Sequence, residues 1–315
     1  MSTTLEIGSG RLAGEPEAAV VAFRGIPFAR PPLGPLRFQP PQPPEPWPGV
    51  RDATRFGGAA PQTADPIGPA VGFERPAHAE DCLTLNVWTP GADGRRRPVL
   101  VWIHGGAFVL GGGAQPVCDG AALAGRGDVV VVTINYRLGV LGFLRLAATG
   151  LGRDLPATGN EGLLDQIAAL RWVRDEIAYF GGDPDNVTIF GESAGSISCS
   201  LLLTAPAGRG LFHRAILQSG APNLVGTPAL ADRVARAVVT KLVLSSTDAA
   251  RLRELPIKEL LRAQGRVLLE LGLEAGACPS ARARTATRSR PIPSPHSATA
   301  APPASPSSSG RPATR

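Results

Sequence analysis

Short apolar runs rich in Val, Ile and Leu recur along the chain, separated by longer segments of mixed polarity. Runs of this length with few polar residues are typical of strands buried on both faces of a sheet. They predict strands at residues 83–88, 98–103, 129–134, 187–190 and 213–218. Between the third and fourth runs, apolar residues recur at helical spacing over residues 163–180. This alternation predicts an α/β fold, with a mostly parallel, twisted sheet and flanking helices.

The segments between these elements predict loops and further helices. Residues 27–48 are rich in proline, which fixes φ, and they predict an extended, loop-rich segment. Residues 181–186 read Gly-Gly-Asp-Pro-Asp-Asn and predict a turn that ends the long helix before the fourth strand. Residues 229–272 predict helices that lie on top of the sheet.

A Gly-Glu-Ser-Ala-Gly sequence at residues 191–195 lies between the fourth strand and a helix predicted to begin near Ser196. A G-x-S-x-G pentapeptide in this context is typical of a nucleophile elbow, a turn so sharp that its serine has a strained backbone. The flanking glycines leave room for the turn, and the strain holds the hydroxyl clear of the sheet. Ser193 is therefore the candidate nucleophile.

A His-Gly-Gly-Ala-Phe sequence directly follows the second strand, at residues 104–108. Acyl transfer needs backbone N–H groups aimed at the oxygen that becomes negative in the tetrahedral intermediate, and a glycine-rich loop can supply them. The N–H of Ala194 is a further donor, at the positive end of its helix. The alternative is that residues 104–108 form only a turn, but an elbow downstream in the expected chain order favours an oxyanion hole.

The sequence resembles the type-B carboxylesterase/lipase family, which includes the cholinesterases. The resemblance rests on the two motifs above and on further blocks in the family's order, from about residue 25 to about residue 276. These blocks are residues 25–29 with 36–38, 80–88, 135–137, 159–166 and 212–220. The resemblance implies the α/β-hydrolase fold, a small-molecule ester substrate, and no cofactor or metal.

The resemblance also implies roles for individual residues. Ser193 is expected to be the nucleophile that forms the acyl-enzyme. Three residues are expected to supply the N–H groups of the oxyanion hole: Gly106, Ala107 and Ala194. Three more residues are expected around this site: Gly105, Glu192 and Ser219. Gly105 is expected to shape the loop, and Ser219 to lie near the triad acid. Arg37 and Glu80 match a structural ion pair of the family.

Charge is unevenly distributed along the chain. There are 32 basic and 26 acidic residues, a net charge of +6 and a pI near 9.7. Six arginines and no acidic residue lie within residues 278–315, so residues 1–277 carry 26 charges of each sign and are neutral overall. No basic face with interleaved aromatic residues is visible, so a nucleic-acid partner is not expected.

Targeting and cysteine signals are weak. The first ten residues lack the basic and apolar regions of a secretory signal, and no apolar run reaches membrane-spanning length. The four cysteines are widely spaced and form no metal-type pair. In secreted members of the resembling family, the cysteine that matches Cys82 is disulfide-bonded to an upstream cysteine, and none precedes Cys82 here. We therefore expect a free, buried thiol, a cytoplasmic protein and no membrane partner.

The base that would activate Ser193 is missing from the sequence. In this fold the triad follows the chain order Ser, then Asp or Glu, then His. After Ser193 only His213 and His296 occur; the first lies at the start of a strand and is expected to be structural, and the second lies in a segment without periodicity. His104 precedes the serine and frames the oxyanion loop in the resembling family. Six acidic residues between 232 and 274 lie on predicted amphipathic helices and are expected to be solvated.

Residues 278–315 consist mainly of Arg, Ala, Pro, Ser and Thr, and they predict a disordered tail after a hydrolase domain at residues 1–277. The chain has only two lysines, as GC-rich codons would give, and a frameshift in such a gene yields this mixture. One shifted reading frame allows FGPRPDGDALPTHP from residue 279 and VLVGTTRDE over residues 306–315, both similar to later blocks of the family. We interpret the tail as out of frame and the hydrolase fold as incomplete at its C-terminus; a genuine disordered tail is the alternative.

The sequence thus favours a serine carboxylic-ester hydrolase, with negligible activity expected of this chain because the triad acid and histidine are missing. Loss of such a base costs on the order of a million-fold in turnover. Two alternatives stay open. One is a non-catalytic, cholinesterase-like binding protein, which need not keep Ser193, and the other is a different elbow-bearing hydrolase such as a lipase or thioesterase. The blocks at 80–88 and 159–166 favour a carboxylesterase over the latter.

Overall fold

The computed structural model describes residues 3–63, 77–155, 157–222, 226–245 and 247–271, all within one compact unit. The strands are β1 (Thr4–Ile7), β2 (Gly10–Ala13), β3 (Glu15–Glu17), β4 (Val20–Pro27), β5 (Val50–Asp52), β6 (Thr84–Thr89), β7 (Arg97–Ile103), β8 (Val130–Ile134), β9 (Gly182–Glu192) and β10 (Arg214–Gln218). The α-helices are α1 (Ala121–Gly127), α2 (Gly139–Phe143), α3 (Glu161–Glu176), α4 (Ala194–Thr204), α5 (Pro228–Lys241), α6 (Ala249–Glu254) and α7 (Ile257–Leu271).

A seven-stranded sheet in the order β10-β9-β7-β8-β6-β4-β3 forms the centre of the fold. Strands β10, β9, β7 and β8 pair in parallel, as predicted, whereas β6, β4 and β3 are antiparallel to their neighbours. The sheet is therefore mixed, with its parallel part on the side of the candidate nucleophile. The antiparallel part begins with β3 and β4, which are joined by a two-residue turn that only antiparallel strands can share.

All five predicted apolar runs form strands, β6 to β10, and the α/β class is confirmed. Every residue of β6 and of β8 is buried, as expected for strands covered on both faces. One local prediction is wrong: within residues 181–186 only Gly181 turns, at φ +77°, and β9 already begins at Gly182. Gly182 pairs with Arg97 of β7, so sheet pairing overrides the turn-forming composition.

The predicted helices are present with small shifts of their ends. The long helix expected at 163–180 is α3 followed by a 3₁₀ turn, Ile177–Phe180. The helices expected at 229–272 are α5, α6 and α7. In the proline-rich segment after β4, the described residues form only one short 3₁₀ helix, Gly34–Leu36. Strands β1 to β5, including the separate β1-β2-β5 sheet, were not predicted. Four of them have only three or four residues, whereas β4 has eight and was missed although most of its residues are apolar and buried.

Buried apolar side chains form two main clusters. The larger lies between the central sheet and helices α3 and α4, and it includes Val101, Val132 and Ile189. The second is built from α2, residues 144–155, α5, α6 and α7, which we call the helical cap, and it includes Leu141 and Leu252. The candidate site lies at the edge of the first cluster, which includes Ile103 and Ala194. The helical cap has a separate apolar core.

Among the described residues, no helix combines the length and the apolar composition that crossing a membrane requires. The expected domain boundary at residue 277 and the tail at 278–315 lie outside the described residues.

Candidate active site

The two sequence motifs leave the sheet side by side. β7 and β9 are neighbouring parallel strands, and Ile103, the last residue of β7, pairs with Gly191 near the end of β9. Residues 104–111, which we call the oxyanion loop, and the elbow at 191–195 therefore start from adjacent positions on one edge of the sheet. A Cβ atom added at Gly105 would lie 3.4 Å from Cβ of Ser193, so the loop passes close beside the candidate nucleophile.

Ser193 lies at a sharp turn between β9 and α4, with φ +53° and ψ −119°. Such a backbone costs a non-glycine residue about 1–3 kcal/mol and persists only where its surroundings fix it. The Ser193 N–H donates to the Gln218 carbonyl (2.9 Å), and its carbonyl accepts the Ile197 N–H (3.0 Å). Helix α4 begins at Ala194, two residues earlier than predicted, so the serine lies at the helix N-terminus. Its side chain is partly exposed and open to a substrate.

The two glycines of the pentapeptide are required by close packing. A Cβ atom at Gly195 would lie 2.0 Å from the carbonyl oxygen of Ile103, and one at Gly191 would lie 2.6 Å from the same oxygen. Both distances are too short for any non-bonded contact. Only glycine therefore allows α4 to begin directly against the end of β7.

The oxyanion loop has an unusual conformation. Gly106 and Ala107 have positive φ, at +109° and +52°. The Gly106 carbonyl accepts the N–H groups of Val109 (3.0 Å) and Leu110 (2.9 Å), which closes a tight turn. Gly106 and Ala107 are at least partly exposed, and no acceptor in the described ranges is bonded to their N–H groups. These two donors are open to a ligand. Ala194 is buried, and its N–H has no intrahelical acceptor because it lies in the first turn of α4.

His104 anchors the start of this loop and is buried. Its ring stacks on Tyr136 with centroids 4.4 Å apart, and the Tyr136 hydroxyl donates to the His104 carbonyl (2.8 Å). Nδ1 lies 2.8 Å from the Gly105 carbonyl oxygen. Burial lowers the pKa of His104 from 6.5 to about 4, and the Gly105 hydrogen bond opposes this only in part. His104 is thus neutral near pH 7 and a weak base.

Buried polar side chains anchor the end of the loop, and sequence analysis assigned none of them a role. Gln62 donates to the Gly111 carbonyl (2.8 Å) and accepts the Gly111 N–H (2.9 Å). Asn135 accepts the Gly113 N–H (2.8 Å), and Thr133 donates to the Gly113 carbonyl (2.8 Å). The available signal was the second glycine run, at 111–113, because its backbone groups need partners from elsewhere in the chain.

Glu192 and Ser219 flank the nucleophile. Ser219 has φ +54° and directly follows Gln218, whose carbonyl holds the Ser193 N–H. Glu192 is exposed, and its carbonyl oxygen would lie 2.8 Å from a Cβ atom at Gly105, which leaves room only for glycine there. The structure therefore brings together the residues that were predicted from the elbow, the oxyanion loop and the block at 212–220.

Arg37 and Glu80 form a largely buried, bidentate ion pair, with Nη2 of Arg37 donating to Oε2 of Glu80 (2.7 Å). Arg37 Nη1 also donates to the carbonyls of Arg253 (2.5 Å) and Leu255 (2.7 Å). These carbonyls lie at the C-terminal end of α6. The pair therefore does more than join residues 37 and 80, because it also fastens the helical cap to the N-terminal part of the fold.

Neither described histidine near these motifs is suited to take the proton of Ser193. His213 is exposed. Its ring Nδ1 accepts a hydrogen bond from the Val187 N–H (3.2 Å), and its backbone N–H donates to the Val187 carbonyl (2.8 Å). Val187 precedes Ser193 by six residues along β9, which is about 20 Å at the usual rise of a strand. His213 is therefore structural, as expected, and His296 lies outside the described residues.

Three of the six carboxylates predicted to be solvated also have polar partners; Glu270 is exposed as predicted, whereas Asp232 is mostly covered. Asp232 pairs with Arg145, and Glu270 pairs with Lys241. Asp248 accepts the Ser245 N–H (2.6 Å) just before α6. These contacts give the three residues structural roles within the helical cap.

The described cysteines are free and buried: Cys82, Cys118 and Cys199. Burial raises the pKa of Cys82 far above its ordinary value, so its thiol is unreactive, in agreement with the sequence expectation. Within the described ranges, no three His, Cys, Asp or Glu residues come together as metal ligands.

A serine at a strained turn between a parallel strand and a helix, next to a glycine-rich loop on the neighbouring strand, defines the α/β-hydrolase class. Within that class, the model of the carboxylesterase family matches residues 1–282. The chain belongs to the carboxylesterase family.

Relatives with established names support this assignment. The chain is 47% identical over 250 residues to para-nitrobenzyl esterase of Bacillus subtilis, which covers 79% of this chain and 47% of that protein. It is 50% identical over 233 residues to cocaine esterase of Homo sapiens, covering 71% of this chain and 40% of that protein. The chain thus spans about half the length of the curated relatives it matches.

Solved structures agree on the fold. Carboxylesterase EST55 of Geobacillus stearothermophilus superposes with a TM-score of 0.80 at 48% identity, over 90% of this chain and 57% of that one. A thermophilic pNB esterase gives a TM-score of 0.79 at 42% identity, over 86% of this chain and 55% of that one. The expected α/β-hydrolase fold is therefore confirmed.

Proposed function

We propose that this chain carries the nucleophile and the oxyanion hole of a serine carboxylic-ester hydrolase. The observation that carries the proposal is the close approach of Ser193, held at a strained turn at the start of α4, to a loop whose N–H groups are open. Family membership supports the same chemistry. The proposed substrate is a small-molecule ester. The residues that act on it follow the C-terminal ends of β7 and β9.

In this mechanism the Ser193 Oγ attacks the ester carbonyl carbon while a base takes the hydroxyl proton. The carbonyl oxygen becomes negative and accepts hydrogen bonds from the N–H groups of Gly106, Ala107 and Ala194. These bonds stabilise the tetrahedral intermediate. The bond to the alkoxy oxygen then breaks, and the alcohol leaves with the proton. Water attacks the acyl-serine in the same way, releases the carboxylic acid and restores the Ser193 hydroxyl.

We further propose that a protein of residues 1–315 alone turns esters over negligibly. A base works best when its pKa is near the working pH, and His104, at about 4, is far below it. His213 is bound at the other end of β9. Without a base, turnover is expected to fall on the order of a million-fold, leaving what binding and the oxyanion hole supply.

Prolonged incubation with p-nitrophenyl acetate tests both proposals. Steady-state release of p-nitrophenol should not exceed the background, but peptide mass spectrometry should detect a slowly formed acetyl group on Ser193. Ser193→Ala should remove that acetyl group. The matched control is Ser200→Ala in the same helix, whose hydroxyl only donates to the Ile197 carbonyl (2.7 Å), and it should leave the acetylation intact.

Two outcomes would contradict these proposals separately. Robust turnover that Ser193→Ala abolishes would show that a base is present, while keeping Ser193 as the nucleophile. Absence of acetylation on Ser193 at every time point would reject the nucleophile itself and favour a binding role for the chain.

A further inference from the structure

The oxyanion loop needs contacts from outside to keep its shape. Ala107 and Phe108 are non-glycine residues with φ of +52° and +61°. Each such residue costs about 1–3 kcal/mol, so the loop would relax to other conformations if its surroundings did not fix it. The start of the loop is held by His104 on Tyr136, and its middle by the Gly139 N–H, which donates to the Phe108 carbonyl (2.7 Å).

Gln62 holds the end of the loop. Its carboxamide oxygen accepts the Gly111 N–H (2.9 Å), and its nitrogen donates to the Gly111 carbonyl (2.8 Å) and to the Ala60 carbonyl (3.0 Å). One side chain thus pairs with both backbone groups of Gly111, as a neighbouring strand would. Only 6% of Gln62 is exposed, so water competes little for these bonds.

Gly111 in turn lies against the start of the same loop. A Cβ atom at Gly111 would be 2.5 Å from Nδ1 of His104 and 2.6 Å from the Gly105 carbonyl oxygen. A Cβ atom at Gly105 would in turn lie 2.8 Å from the Glu192 carbonyl oxygen and 3.4 Å from Cβ of Ser193. A displacement of Gly111 is therefore passed directly to the part of the loop that faces the nucleophile.

We propose that Gln62 is a positioning residue for ester hydrolysis. By clamping Gly111, its carboxamide closes the oxyanion loop and sets the N–H groups of Gly106 and Ala107 toward the developing oxyanion. The inference rests on the proposed function, because it gives that function's oxyanion hole a support 49 residues away in the chain.

The role requires a carboxamide. Glutamate at position 62 keeps an acceptor for the Gly111 N–H, but it turns an oxygen toward the carbonyls of Gly111 and Ala60 and has no donor for them when ionised. Methionine keeps the length and loses the donor and the acceptor, which leaves buried backbone groups without partners. Gln62→Glu and Gln62→Met therefore remove the clamp in two different ways.

Phenylboronic acid is a suitable probe because it needs no turnover. The Ser193 Oγ adds to the trigonal boron, a B–O bond forms, and the hydroxyl proton passes to solvent water. The resulting tetrahedral, anionic boron resembles the tetrahedral intermediate and places an oxygen in the oxyanion hole. Boron NMR distinguishes trigonal from tetrahedral boron, so a titration gives the Kd of the adduct.

We expect Gln62→Met to raise this Kd about 10- to 100-fold, less than or equal to the effect of deleting an oxyanion-hole donor outright. Gln62→Glu should raise it at least as much, and since glutamate has nearly the same shape, it serves if the methionine variant does not fold. Gln42→Met, at an exposed glutamine whose side chain donates only to the Pro40 carbonyl (3.5 Å), is the matched control and should leave the Kd unchanged. Urea unfolding of each variant shows that the titrated protein is folded.

A merely structural role would lower the stability of the Gln62 variants and leave the Kd of the folded protein within twofold of the parent, and that result overturns the proposal. Ser193→Ala separates failure of the Gln62 clamp from failure of the proposed function. If it removes the tetrahedral signal while the Gln62 variants bind normally, only the clamp is rejected. If the parent shows no adduct that depends on Ser193, the proposed function and the clamp are rejected together.

Discussion

β8 and β10 are both five-residue strands rich in aliphatic side chains, yet they are buried to opposite degrees. All five residues of β8 are buried, whereas four of the five in β10 are exposed, among them Ile216 at 48% and Leu217 at 42%. β8 lies between β7 and β6, while β10 pairs only with β9 among the described strands. Arg214 and Gln218 at the ends of β10 are polar, but its Ile216 and Leu217 are as apolar as the residues of β8 and still bury far less surface, because burial also depends on the neighbours of a strand.

The comparison matters for function because the candidate site depends on both kinds of strand. The oxyanion loop leaves β7 in the buried part of the sheet. The Ser193 N–H, by contrast, is held by Gln218 at the end of the open strand β10. One part of the site is fixed by dense packing, and the other by an edge strand with little cover.

The largest difference should appear when the same charge is placed in the two strands. Val132 of β8 is fully buried, and Val132→Asp should destabilise the protein by about 4 kcal/mol or more, because an unpaired charge is then buried. Ile216→Asp in β10 should change stability by no more than about 0.5 kcal/mol. Urea unfolding followed by circular dichroism measures both. Equal losses would show that β10 is covered in solution.

The next largest effect tests whether water is excluded from the ends of the buried strands as it is from their middles. His104 directly follows β7, and its pKa of about 4 in the folded chain lies below the ordinary 6.5. Between these pH values the unfolded chain binds a proton that the folded chain does not, so stability should fall as the pH is lowered from 6.5 to 4. At about 1.4 kcal/mol per unit, the total loss is about 3 kcal/mol.

Urea unfolding at a series of pH values checks this loss. His104→Asn has no titrating ring, so its stability should change less over the same interval. An identical slope in parent and variant would mean that water reaches the His104 ring in the folded state.

The elbow and the buried strand β8 could be predicted from the sequence because their signals are local. The G-x-S-x-G turn at 191–195 and the apolar run of β8 are each readable within about ten residues. The start of β9 at Gly182 and the clamp by Gln62 could not, because each depends on a partner far away in the chain: Arg97 and Gly111. The residues of β10 alone do not show that the strand is open, since its central Ala-Ile-Leu run resembles that of a buried strand.

A smaller effect tests how tightly the elbow packs against the buried strand β7. Gly195→Ala places a methyl group 2.0 Å from the Ile103 carbonyl oxygen, and we expect a loss of about 1–3 kcal/mol from overpacking. Gly265→Ala in α7 meets no atom within 4 Å and is the matched control, expected to stabilise by up to about 1 kcal/mol through helix propensity. Thermal unfolding of the two variants gives the sign of each change. A stabilising Gly195→Ala would show that α4 can move away from β7.

Substitutions in the open strand β10 should have the smallest effect on stability. They should have a clear effect on association between chains. An exposed apolar strand with unpaired backbone groups promotes pairing between chains, so light scattering by the parent should rise with protein concentration. Replacing Ile216 and Leu217 together by lysine should suppress that rise and change stability by no more than about 0.5 kcal/mol per substitution. Val243→Lys is the matched control, because Val243 is 79% exposed but lies outside the sheet, and it should leave the association unchanged. Since Gln218 is untouched, the double variant should also keep the parent's Kd for phenylboronic acid. Association that persists in the double variant would mean that some other surface joins the chains, and a changed Kd would mean that the side chains of β10, and not only its backbone, hold Ser193 in place.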